Sequence, residues 1–114
     1  MKFFTLGTMV LTLFIFTGCS DETIQDLPIT QSATEINSLI SQSQWTKAQQ
    51  KSKQVQNIYE SNKWKYQLMG DETEYNKLDE AIAKLQVSIK TKDKAEVKRT
   101  IATIEHYVQS LYFQ

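Results

Sequence analysis

From Trp45 to Met69 the residues Trp45, Ala48, Ser52, Val55, Tyr59, Asn62, Tyr66 and Met69 recur at spacings of 3 and 4 without a break. Only a helical period puts such positions on one side, so the stretch predicts a single helix of about 25 residues with one continuous seam. A mean spacing near 3.5 keeps that seam facing a partner, which requires other helices lying along it at a shallow angle. Two such partners follow. Tyr75, Leu78, Ile82, Leu85 and Ile89, widened by Ala81, form one stripe, and Val97, Ile101, Ile104, Val108 and Leu111 form the next. Asp71 with Glu74, and Asp93 with Glu96, have the spacing of capping boxes at the starts of these two helices, and Gly70 is expected to end the long helix in the left-handed conformation. Upstream, Ala33, Ile36, Leu39 and Ile40 predict a short helix starting at Ser32 with Glu35 three residues on, and Ser43 is positioned to cap the long helix.

A chain with one Pro and three Gly, rich in Gln, Lys, Leu, Ile and Ala, favours helix over strand. The expected fold class is therefore all-α: an up-down bundle of three main antiparallel helices with a short additional N-terminal helix covering one end or groove. No residue-level internal repeat stands out, although Ser43-Gln44-Trp45-Thr46-Lys47-Ala48 and Asp93-Lys94-Ala95-Glu96-Val97 open their helices in a similar way.

The N-terminus has a different grammar. Met1-Lys2 is a minimal basic start, Phe3 to Phe16 is an apolar run, and Ser20, Asp21 and Glu22 follow at once. A transmembrane helix needs about 20 apolar residues, so this run fits a processed leader better than a span. Phe16-Thr17-Gly18-Cys19 resembles the lipobox of bacterial lipoproteins, with Phe16 standing where that family usually has an aliphatic residue. The resemblance implies diacylglycerol in thioether linkage on Cys19 and cleavage after Gly18. Two acyl chains anchor a domain firmly, since each buried methylene contributes roughly 0.8 kcal/mol and a single chain holds only marginally. Cys19 is the only cysteine, so no intramolecular disulfide is available.

Three segments result: residues 1–18 as leader, 19–29 as an acidic tether and 30–114 as the helical bundle. The tether holds Asp21, Glu22, Asp26 and Pro28 with no basic residue, and its acidity is expected to hold the domain off an anionic membrane surface. With 13 basic and 13 acidic residues, and Lys2 in the leader, the mature part carries a net charge near −1, which gives no reason to expect nucleic-acid binding.

Catalytic constellations are not evident. His106 is the only histidine and faces away from the Ile101, Ile104, Val108 seam; with Glu105 beside it and no second His or Cys near by, it reads as a surface residue rather than a metal ligand. Asp71, Glu72 and Glu74 crowd the first turn of one helix, where capping and the helix dipole account for them. Neither a nucleophile elbow nor a glycine-rich phosphate loop is present. The expectation is a non-enzyme without cofactor or metal.

Lys47, Lys51, Lys53, Lys63 and Lys65 against Glu60 give the long helix a basic excess, and a similar excess runs from Lys90 to Arg99. The two would act together only if the fold adjoins them. Trp64 and Leu68 lie off the main seam of the long helix while Tyr66 and Met69 lie on it. This end is thus apolar on two sides: either the first helix or Tyr112-Phe113 packs over Trp64, or Trp64 and Leu68 form a partner-binding patch.

The arrangement of Trp45 and Ala48, then Trp64, an acidic turn at Asp71 and a regular helical pair to the C-terminus is similar to a family of small uncharacterised helical domains on membrane-anchored and lipoprotein chains of Gram-positive bacteria. The likeness spans about residues 33 to 111. Where that family often has a His after the acidic turn, Thr73 and Glu74 stand here. These readings lead to a lipid-anchored extracytoplasmic protein acting as a binding or accessory module for an envelope protein. A second class, an immunity or exclusion lipoprotein that intercepts a toxin or phage component, fits the same features, and a homodimer through exposed remnants of the seams is compatible with them.

Overall fold

The structure, a computed structural model, describes residues 27–112. Four helices follow in order: α1 (Pro28–Ser41), α2 (Trp45–Met69), α3 (Glu72–Lys90) and α4 (Lys94–Tyr112). No strand occurs among the described residues. Each helix packs against its neighbour in sequence, and α1 also packs against α4, so the four close into a ring. The three longer helices run antiparallel through short turns, and α1 fills the groove between α2 and α4. All-α up-down architecture is thus the observed fold. Its core is continuous, running through Ile36, Val55, Leu85 and Ile104, which are completely buried.

α1 starts earlier than its sequence signals suggest. Leu27 is the N-cap, in extended conformation and without a side-chain cap, and Pro28 takes the first helical turn. Proline suits that position because its missing N–H would have no partner there and its fixed φ is already helical. Ile29 then extends the Ala33, Ile36, Ile40 stripe by one turn and is 1% exposed, so burial pulls the start upstream. Ser32, the expected cap, is buried inside the helix. Pro28 and Ile29 accordingly belong to the bundle and not to the tether. Residues 19–26 of the segment assigned to the tether, Cys19 included, and the leader lie outside the described residues.

Two further local expectations are corrected. Gly70 is extended, with φ −128° and ψ 174°, and closes α2 by donating its N–H to the Tyr66 carbonyl at 3.0 Å. The left-handed positions fall instead on Ser43 and Lys92, both at φ 57°. Each occupies the turn after a helix: Ser43 N–H donates to Ile40 O and Gln44 N–H to Leu39 O, while Lys92 N–H donates to Ile89 O and Asp93 N–H to Ser88 O. Both are Schellman closures, built without glycine. Ser43 therefore ends α1, and Gln44 is the N-cap of α2 without a side-chain cap, its amide donating instead to Gln42 Oε1 at 2.9 Å. The caps expected at Asp71 and Asp93 form: each Oδ1 accepts the backbone N–H three residues on, Glu74 at 3.0 Å and Glu96 at 3.1 Å.

The matching turns disclose a repeat that residue identity hides. Buried Ile29, Ala33, Ile36 and Ile40 of α1 correspond to buried Leu78, Ile82, Leu85 and Ile89 of α3, and Ala48, Ser52, Val55 and Tyr59 of α2 to Val97, Ile101, Ile104 and Val108 of α4. Every pair is separated by the same 49 residues, as are Ser43 and Lys92. The bundle is two copies of one helical hairpin, packed side by side with both turns at the same end.

The hairpins differ in length. α1 has 14 residues and α2 has 25, so α2 outruns α1. An ion pair between Lys51 and Glu35 at 2.7 Å sets their register and places Pro28 beside about residue 58 of α2. Some ten residues of α2, about 15 Å, extend past it. Tyrosines fill the interior of this three-helix end. Tyr59 and Tyr66 are buried with ring centroids 5.6 Å apart, Tyr112 meets Tyr66 edge-on at 6.2 Å, and Tyr59 donates its hydroxyl to the Tyr75 carbonyl at 3.0 Å.

Burial, then the charges of Asp79 and Glu60 and the Tyr75 hydroxyl, push the Tyr59 phenol up from 10.0 to about 12. Burial and the adjacent Tyr112 raise Tyr66 as well. A raised phenol holds its proton longer in the folded state. The unfolded chain therefore loses protons first as the pH passes 10, and stability present in full below that point declines between about pH 10 and 12. Urea midpoints measured across that window should fall for the wild type and fall less steeply for Tyr66→Phe; parallel curves would refute this origin of alkaline sensitivity.

Candidate functional site

The overhanging part of α2 carries the residues singled out at this end. Trp64 is 63% exposed and Leu68 79%. One helical turn apart, they stand on the same face, outside the seam that buries Tyr59 and Tyr66. Among the described residues, neither α1 nor Tyr112 covers Trp64. α1 stops short of this level, and Tyr112 turns inward onto Tyr66, with the Lys65 ammonium 5.2 Å from its ring centroid. Phe113 lies outside the described residues. Trp64 and Leu68 therefore project from a rigid helix, with exposed Lys63 alongside.

The remaining sequence candidates are structural in their contacts. His106 is exposed, its ring 5.3 Å from that of Tyr107. Asp71 caps α3, and Glu72 and Glu74 occupy that helix's first turn. No three His, Cys, Asp or Glu side chains among the described residues gather to hold a metal ion, and no described helix is long and apolar enough to cross a membrane. Cys19 lies outside the described residues.

Charge is where the fold adds most. The end holding the turns at Ser43 and Lys92 gathers the first half of α2, the last turns of α3 and the start of α4. The two basic stretches of the sequence thus adjoin, except for Lys63 and Lys65, which lie at the other end. Four carboxylates stand among these cations; one of them, Glu80, lines a groove with Lys84, Glu96 and Arg99 and pairs with Lys77 at 3.7 Å. Glu35 is paired with Lys51, Glu96 with Arg99 at 2.6 Å, and Asp93 caps α4. Lys53 and Lys90 share a groove of about 350 Å³ between α2 and α3, floored by Ser52, Ala83 and Gln86. Val87, 60% exposed, separates it from a second groove, on the α4 side, that Lys84 lines. The opposite end is acidic, with Glu60, Asp71, Glu72, Glu74 and Asp79 against Lys63, Lys65 and Lys77.

A family model described as a domain of unknown function, DUF4363, matches residues 23–114. The chain belongs to this family. The match takes in all four helices and begins at Thr23, upstream of the stretch on which the sequence resemblance rested. No curated protein and no solved structure matches the chain. The DUF4363 domain is thus the whole ring, including α1, and its two projecting features are the apolar pair at one end and the lysine-rich surface at the other.

Sequence reasoning found Trp64 and Leu68 because they break the seam pattern. It did not single out Val87, although that residue lies two positions from both Leu85 and Ile89, off their stripe, and shows the same departure from the seam. It also placed the two basic stretches separately, since their adjacency depends on the hairpins being side by side.

Proposed function

We propose that this DUF4363 protein is a lipid-anchored extracytoplasmic accessory module that docks an envelope protein through the overhanging end of α2. The observation that carries the reading is the exposure of Trp64 and Leu68, two large apolar side chains one turn apart on the outer face of α2, away from its buried seam. A tryptophan and a leucine one turn apart form an anchor for a hydrophobic pocket, and such residues dominate binding energy where they are buried on docking. The leader supports the location: an apolar run ending in Gly18-Cys19, followed by acidic residues, has the form of a processed lipoprotein signal.

Tagged protein, cross-linked in intact cells and recovered from membranes, tests this reading. The wild type should retain a defined set of envelope proteins, and the Trp64→Ala, Leu68→Ala double variant should lose at least about tenfold of that recovery, as expected for removal of a hot-spot residue. The double variant should melt within a few degrees of the wild type, because both side chains are already in water. Recovery that does not change would remove this face as the docking site.

A further inference from the structure

We infer that the lysine-rich end of the bundle is a binding surface for a linear phosphodiester polymer. With its four carboxylates engaged, that end leaves seven exposed lysines in no ion pair among the described residues: Lys47 and Lys53 on α2, Lys84 and Lys90 on α3, Lys92 in the turn, and Lys94 and Lys98 on α4. A balanced sequence has folded into a charge-segregated rod, and the basic excess is concentrated on three helix ends rather than spread as a solvated face.

The form of the surface selects among anionic partners. Its grooves along α3 are open and shared between helices, as Lys53 and Lys90 show. The single arginine is already paired with Glu96, so the free cations are all ammonium groups. These act as compact point charges and do not form the bidentate fork that reads a carboxylate or phosphate individually. Spread point charges suit a chain of regularly repeated phosphates, which gains affinity by releasing counterions along its length. Val87 is the only large hydrophobic residue exposed among them, far short of the roughly 800 Å² per side of a stable protein interface. An acidic protein partner is therefore disfavoured.

A bilayer is disfavoured by where the chain leaves the domain. Pro28 is at the far end of α1, about 21 Å from the basic turns. If Cys19 is anchored as proposed above, the basic end points away from the membrane, and this one step rests on that reading.

The test uses the full chain in neutral detergent with poly(glycerol phosphate) as the probe, at salt from about 0.05 to 0.2 M. Two variants remove the same charge from opposite ends: Lys53→Gln with Lys90→Gln, and Lys63→Gln with Lys77→Gln. Both should melt near the wild type, which excludes unfolding as the cause of any loss. The wild type should bind with log affinity falling linearly in log salt, as counterion release requires. The basic-end variant should bind about tenfold more weakly and flatten the salt slope by roughly 1.5, whereas the opposite-end variant should stay within about twofold. Absence of binding, equal loss in both variants, or tighter binding to polyglutamate or to phosphatidylglycerol vesicles than to the polymer would each overturn the inference. Binding retained by a Cys19→Ser chain would uphold it even if that chain showed the anchor to be absent.

Discussion

Replacing Tyr59 with Ala should lower the free energy of unfolding by about 3–5 kcal/mol, the range for deleting a buried aromatic side chain. For a domain of this size, that is expected to lower the melting temperature by roughly 15–30 °C. The reason is positional. Tyr59 is 1% exposed at the level where α1 ends and a four-helix ring becomes a three-helix end. Its ring fills the interior there, stacks on Tyr66 and sends its hydroxyl to the Tyr75 carbonyl at the start of α3. No nearby helix can move in to fill the void. Tyr59→Phe keeps the ring and loses only the hydroxyl contact, so it should cost about 1 kcal/mol. Thermal and urea unfolding of the two variants decide the matter; equal effects would mean that the hydroxyl, and not the ring, secures this end.

On the proposed anchor, changing Cys19 to Ser should abolish lipid attachment altogether. Without a thiol there is no site for the thioether, and the described helices offer no membrane span in its place. Cells labelled with a lipid precursor should incorporate label into the wild type and none into Cys19→Ser. A wild type that takes no label would refute the anchor. The apolar face at Trp64 and the lysine-rich end would keep their chemistry, so the binding tests for each stand apart from this one.

The helices themselves were legible because each buries one stripe of regularly spaced residues, and periodicity records that directly. Helix ends were less legible, for reasons visible at particular residues. Ser32 and Glu35 have the spacing of a capping box, yet the energy of burying Ile29 outweighs a cap of about 1 kcal/mol and moves the start to Pro28. Gly70 is the residue type most tolerant of a left-handed turn, but the chain takes that conformation at Ser43 and Lys92, where the Schellman hydrogen bonds offset the cost of a side chain.

The internal repeat was hidden for a related reason. Pairs such as Ala33 with Ile82, or Ser52 with Ile101, share burial without sharing chemistry, so only their positions in the packed structure align. Of the candidate site, the exposed Trp64 and Leu68 could be read from their departure from the seam. The basic end could not, since it is assembled from segments about 40 residues apart that meet only when the second hairpin docks on the first.

The closure of the ring by α1 also governs the order in which the chain can become native. α2, α3 and α4 meet through neighbouring turns, whereas α1 must find α4 across a long intervening sequence, as in the hydrogen bond from Thr34 to Glu105, 71 residues away. Contacts that distant form late, because the intervening loop must be closed first. During synthesis α1 emerges first and completes its packing last. Until α4 arrives, Ile29, Ile36 and Ile40 have only part of their covering, so the earliest segment of the domain is the one most in need of protection from aggregation while the rest of the chain is made.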